Sequence, residues 1–325
     1  SNWLSSVGAL LGTLIPMLFM IVLAVLWIKS SRPLAIHFVS HAFLPNLTNF
    51  NNLAFLTTII FGLMGLVMSA VHAGDVRNTE KDYPRSLFWS TSLILITLIL
   101  SSLAISFIVP AKQLSILSGL TEAYVVFFNS FHLPFFIPII ISLIIIGSLC
   151  SISTWVIGPT RGLLIATFEN KISGLHCLLK VNRFGAPVCL LLFQGILVTL
   201  LSSLFILIPS VSEAYWLLSV MTAQLAVLFY IFLFLAALRL RYKEARQSRV
   251  YRIPGGKWGI WIVTGLGLLA CVMTFILGFF PPAVIVVDNL VKFDMILLGG
   301  LLLFCLPAVL SGVLLIGRSD SENNN

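Results

Sequence analysis

The strongest candidates for chemistry are Phe61-Gly62-Leu63-Met64-Gly65, which interrupt the middle of an apolar run. Glycine adopts backbone dihedrals that other residues avoid, so two glycines three apart let a helix unwind. An unwound turn bares N–H and C=O groups, and hydrocarbon cannot satisfy them. Such groups persist where they line a polar cavity, and secondary transporters place substrate and ions at broken helices of this kind. The same two glycines also suit a flat face for close helix packing.

Few ionisable groups accompany the break. All eleven acidic residues fall outside the interiors of the apolar runs, so no carboxylate is placed as a proton relay at mid-membrane. His72 is the remaining intramembrane candidate, late in the broken run and three residues before Asp75. Its imidazole either senses protons near neutral pH or stays neutral against a backbone carbonyl. Ser69, Ser151, Trp155 and Tyr230 are polar groups within apolar runs. Ser151 and Trp155 are four apart and share one helix face. Side chains of this kind also bond their own backbone or a neighbouring helix, which is the structural alternative. Cys150, Cys177, Cys189, Cys271 and Cys305 form no CxxC pair and read as small buried hydrophobes. No metal ligand set, cofactor fingerprint or phosphate-binding loop is present in the sequence, and nothing in it points to an enzyme.

The elements that must position these groups are membrane helices. The chain has 325 residues, 59% hydrophobic and 9% charged, with a mean hydropathy of +1.09. Eight apolar runs are long enough to cross a bilayer, at about 1.5 Å per residue over about 30 Å. They are 7–28, 53–73, 87–109, 135–157, 186–208, 214–238, 258–279 and 295–316. The fold class is therefore all-α and integral to the membrane, in one domain over residues 1–325.

Lysine and arginine set the orientation. Alternate loops and the tail hold Arg77, Lys81 and Arg85; Arg161, Lys171, Lys180 and Arg183; the seven basic residues from Arg239 to Lys257; and Arg318. The other loops hold only Lys29, Arg32, Lys112 and Lys292. The bias places the first set and the C-terminus in the cytoplasm. The net charge of +8 is thus topogenic and does not indicate nucleic-acid binding. Outside the membrane, Leu120–Phe131 reads as a short helix, either lying over the outer mouth or resting passively at the interface. The polar tail Ser319–Asn325 reads as disordered.

Three motifs resemble a known family. Thr154-Trp155-Val156-Ile157-Gly158-Pro159-Thr160-Arg161-Gly162 is similar to a signature of glutamate/γ-aminobutyrate antiporters, within the amino acid–polyamine–organocation superfamily. Tyr251 to Lys257 resembles that family's Pro-Gly-Gly-Lys loop, and Asn78 to Pro84 its Asp-Tyr-Pro loop. Met64-Gly65 through Ser69, His72 and Asp75 fit its broken sixth helix. The resemblance implies helices five to twelve of a twelve-helix transporter with a five-plus-five inverted repeat. It implies an amino acid as substrate, secondary transport by antiport, and the bacterial inner membrane as location. Phe61, Gly62, Leu63, Gly65, Ser69, Ser151, Trp155 and Tyr230 would then contact substrate.

The sequence departs from the family at three points. Val67 and Ser151 stand where the family has glutamates, and Ala226 where it has the first tyrosine of a pair whose second is Tyr230. A pocket with fewer acids favours neutral or acidic amino acids over cationic ones, and the glutamate/γ-aminobutyrate pair is not fixed as cargo. The partners implied are the lipid bilayer and helices one to four, supplied upstream or by a complementary chain. A chain lacking those helices would be a non-transporting remnant or a partial subunit, which is the alternative expectation.

Overall fold

A computed structural model describes residues 2–35, 53–110, 115, 117–170, 181–183, 185–208, 210–243, 253, 255–282, 285, 287 and 289–323. Its helices are α1 (Asn2–Ala9), α2 (Ile15–Lys29), α3 (Phe55–Leu63), α4 (Asp82–Ile108), α5 (Gly119–Ser130) and α6 (Phe136–Asn170), followed by α7 (Val188–Ser202), α8 (Leu204–Leu207), α9 (Val211–Lys243), α10 (Gly256–Leu277) and α11 (Leu290–Asn323). No strand occurs among the described residues. Seven helical stretches there are long and apolar enough to cross a membrane. The chain divides into two compact units. One is Ser1–Ala42 with Gly65–Ile206, the other Phe43–Met64 with Leu207–Asn325.

In the first unit, a π turn at Leu10–Leu14 joins α1 to α2. Pro16 gives a physical reason. It has no N–H for the Gly12 carbonyl and its ring crowds that carbonyl, and the preceding turn widens so that the Ile15 N–H reaches the Leu10 oxygen. The α1–π stretch lies along α6. Gly12 rests on the Gly147 backbone and Gly8 on Cys150, so closely that a Cβ on any of these glycines would overlap its neighbour. Lipid tails are as apolar as leucine, so helices in a bilayer associate through such close backbone approach rather than through hydrophobic transfer.

The core of this unit gathers Met20, Leu23 and Trp27 of α2, Ala104 and Ile108 of α4, and Tyr124, Phe127 and Phe128 of α5. The short helix α5 is therefore packed into the unit. Its first turn is held by Glu122, whose carboxylate accepts from the Ser115 N–H at 2.9 Å and from the Ser118 hydroxyl. These bonds hold the Glu122 carboxyl below the ordinary glutamate range, the Ser115 N–H contributing most. At its other end Arg32 donates to the Ser130 carbonyl at 2.7 Å, and its guanidinium lies 5.1 Å from the Trp27 ring and 4.5 Å from that of Phe131. The Tyr124 hydroxyl donates to the Pro16 carbonyl, and burial pushes its phenol above the usual range.

In the second unit α9 packs against α3, α10 and α11. Small residues again set the approach. Gly267 meets Phe234, Gly278 meets Gln224 and Val220, and Gly300 meets Met221. Gln224 is fully buried; its Nε2 donates to the Phe275 carbonyl at 2.9 Å, while its Oε1 finds no partner among the described residues.

The run 53–73 breaks in its middle, as its glycines predict: α3 stops at Leu63 and a tighter 3₁₀ segment, Leu66–Asp75, follows. Two expectations need correction. Phe61, Gly62 and Leu63 are not unwound, because α3 contains all three; the break is confined to Met64 and Gly65. The turn between the two segments takes one left-handed residue, and Gly65 supplies it with φ +102°. The tail is helical as far as Asn323, since α11 meets no glycine or proline beyond Gly317 to stop it. Several expectations fall outside the described residues: Cys177, the outer loop at 36–52, the inner basic stretch at 244–252, and the side chains of His72 and Arg161.

Candidate functional site

The break begins where α3 ends. Met64 is extended, with φ −66° and ψ 154°, and its N–H reaches back to the Phe61 carbonyl at 3.2 Å. The Gly65 carbonyl then accepts from the Met68 N–H at 2.9 Å, opening the 3₁₀ segment. Among the described residues, the N–H groups of Gly65, Leu66 and Val67 have no backbone acceptor. They form the positive end of the segment, as the first N–H groups of any helix do.

The first unit packs three contacts around this end. The Trp155 indole of α6 lies over Gly65, and a Cβ there would stand 3.3 Å from its Cζ2. One turn along α6, Gly158 faces the Met68 sulfur. Ser69 donates to the Leu66 carbonyl at 2.7 Å and exchanges a hydrogen bond with the Tyr83 hydroxyl of α4 at 3.0 Å. Gly65, Ser69 and Trp155 are thus brought together, with Ser151 one turn before Trp155 on α6 and exposed like it. Phe61, Gly62 and Leu63 belong to the second unit, as does Tyr230, which is half-buried on α9.

Pro159 shapes the α6 side of this group. It lies inside the helix, four residues after Trp155, so the Trp155 carbonyl receives no N–H from that position. The Thr160 hydroxyl donates to the next two carbonyls, Val156 at 3.0 Å and Ile157 at 2.9 Å, and not to that of Trp155. Tyr83 and Met68 are the residues that sequence reading missed. Tyr83 had one signal: it stands in the first turn of α4, beside Pro84, in the stretch 78–84 that resembles a family loop. No cluster of three or more metal-ligating side chains occurs among the described residues.

The arrangement offers backbone donors at a short helix terminus, an aromatic wall, and the hydroxyls of Ser69, Tyr83 and Ser151, with no carboxylate among the described side chains. Residues 1–304 match the amino acid permease family. The chain is 44% identical over 304 residues to an uncharacterized transporter of Legionella pneumophila, covering 94% of this chain and 65% of that protein. It is 27% identical over 295 residues to a glutamate/gamma-aminobutyrate antiporter of Lactococcus lactis subsp. lactis, covering 90% of this chain and 58% of the antiporter. It is 22% identical over 253 residues to a probable agmatine/putrescine antiporter of the same bacterium, covering 77% and 53%. The chain spans less than two thirds of the length of each of these relatives. With a match over nearly its whole length and membrane-crossing helices throughout, the chain belongs to the amino acid permease family.

Proposed function

We propose that the protein carries amino acids across a membrane by secondary transport, as an exchanger. The observation that carries this reading is the break at Met64-Gly65, with three backbone N–H groups that meet no backbone acceptor among the described residues at the head of the 3₁₀ segment, and Trp155 beside Gly65. A substrate α-carboxylate is the anion that such an N-terminus would hold. Trp155 would form an aromatic wall for the rest of the molecule, and Ser69 and Ser151 would bond its polar atoms. Phe61, Gly62 and Leu63 lead into the break along the chain. Tyr230 is kept as a candidate substrate contact on its own unit. His72, at the far end of the 3₁₀ segment, is the candidate for proton sensing.

The antiporters among the relatives support exchange rather than uniport. With Val67 and Ser151 in place of acids, the substrate class is neutral or acidic amino acids, with cationic ones disfavoured. The orientation that follows from the basic loops puts the C-terminus in the cytoplasm of a bacterial inner membrane.

Exchange by the whole protein in proteoliposomes tests this reading. Unlabelled amino acids inside the vesicles should accelerate uptake of labelled ones outside. Gly65→Leu should abolish exchange per molecule of folded, membrane-inserted protein, the amount of folded protein being measured beside the rate. Normal exchange by that variant would refute a substrate site at the break.

A further inference from the structure

One site lies apart from the substrate reading, at the end of the second unit where α9 finishes and α10 begins. There the Trp261 indole N–H donates to the Tyr242 hydroxyl at 2.6 Å, tying α10 to α9. Both side chains remain exposed, Trp261 at 53% and Tyr242 at 49%. Helix geometry surrounds this pair with cations, because residues three and four apart are neighbours on one face. Arg239 is three residues before Tyr242, and Lys257 is four residues before Trp261. Trp258, three before Trp261, is 80% exposed. No acidic side chain occurs in α9 after Glu213 or anywhere in α10; Glu244 follows α9 directly in sequence, within a stretch that is basic overall.

Indoles and phenols favour the bilayer interface, where one edge is apolar and the other wet. Cations at the same depth meet lipid phosphates. Basic pockets between membrane helices are an established way to hold anionic headgroups. A hydrogen bond between the two aromatic residues fixes the spacing of the helices, and so of the cations each carries. A free-standing interfacial belt would not need that bond.

We infer that Arg239, Tyr242, Lys257 and Trp261 form a binding site for the phosphate headgroup of an anionic phospholipid. The tyrosine–tryptophan pair sets the separation of the two cationic edges. Charge complementarity selects the occupant, and the interfacial aromatics place it in the membrane rather than in free solution. The site is independent of the transport reading.

Lipid binding to the purified full chain in a neutral detergent tests the inference. Thermal stability is measured with added phosphatidylglycerol, with phosphatidylcholine, and with inorganic phosphate. Phosphatidylglycerol should raise the melting temperature and the other two should not. The double variant Arg239→Gln/Lys257→Gln should bind phosphatidylglycerol more weakly by about five-fold per charge removed. Trp261→Phe keeps the ring but removes the donor, and should weaken binding although every cation remains. An equal shift with phosphatidylcholine, an equal shift with inorganic phosphate, or undiminished binding by the double variant would each overturn the assignment. Should the double variant fail to fold, Trp261→Phe alone decides the matter: unchanged binding would refute the paired site.

Discussion

Gly65 is irreplaceable for two separable reasons. Its φ of +102° is strained for any residue with a Cβ, and a Cβ there would stand 3.3 Å from the Trp155 ring, close enough that the ring must yield by a few tenths of an ångström. Backbone strain of this kind costs about 1–3 kcal/mol. Gly65→Ala should therefore destabilise the protein by about that amount, read by denaturation in micelles. Trp155→Ala in the same chain would clear the space without relieving the dihedral, so the double variant should recover only part of the loss; full recovery would locate the whole cost in the ring. The Ser69–Tyr83 bond stands on different ground. Hydrogen bonds between membrane helices average about 0.6 kcal/mol, because the unfolded chain in lipid also finds partners. A double-mutant cycle of Ser69→Ala with Tyr83→Phe should yield a coupling near that value. A coupling of zero would make the 3.0 Å contact incidental.

Elements obey the same logic at larger range. The contact of Gly12 with Gly147 brings two backbones together, so Gly147→Leu would drive α6 away from the α1–π stretch. The expected outcome is loss of folded protein, measured as monodisperse material after detergent extraction, whereas Gly195→Leu, where a Cβ meets open space, should be tolerated. Helix α5 adds a pH dependence. Glu122 has a lowered value in the fold, so its contribution is complete above the ordinary glutamate value of 4.5 and fades as pH falls through the lowered one. Hydrogen exchange in α5 should quicken on acidification over that range, and Glu122→Gln should remove the dependence.

Much of this was legible in the sequence because hydropathy and glycine punctuation are local. The glycine pair announced the break, and the spacing of Ser151 and Trp155 announced their shared face. The position of the break within the five residues was not legible. Either glycine could take the left-handed dihedral, and local sequence does not distinguish them. Tyr83 was hidden for a similar reason, since a hydroxyl that bonds a residue fourteen positions earlier leaves no periodic trace. The burial of α5 was invisible because its aromatic face suits a lipid interface as well as a protein core.

For the whole molecule, charge distribution makes the firmest forecast. Fifteen of the nineteen lysines and arginines lie in one set of loops and the tail. A fluorescent protein fused after Asn325 should fluoresce in the cytoplasm, and alkaline phosphatase fused there should be inactive. Active phosphatase would reverse the orientation.

The division into units also sets a timetable for synthesis. Helix α3 belongs with α9 and α10, yet the whole Gly65–Ile206 part of the other unit is made in between. Bacterial chains grow at about 5–20 residues per second, so α3 waits on the order of 10–30 seconds for its partners. During that interval Thr57, nearly fully buried in the finished protein, has no native cover. A nine-residue helix is too short to hold itself across a bilayer. Its keeping until α9 arrives falls to the insertion machinery, and slowed translation after Ile206 would lengthen the exposure of this one segment before any other.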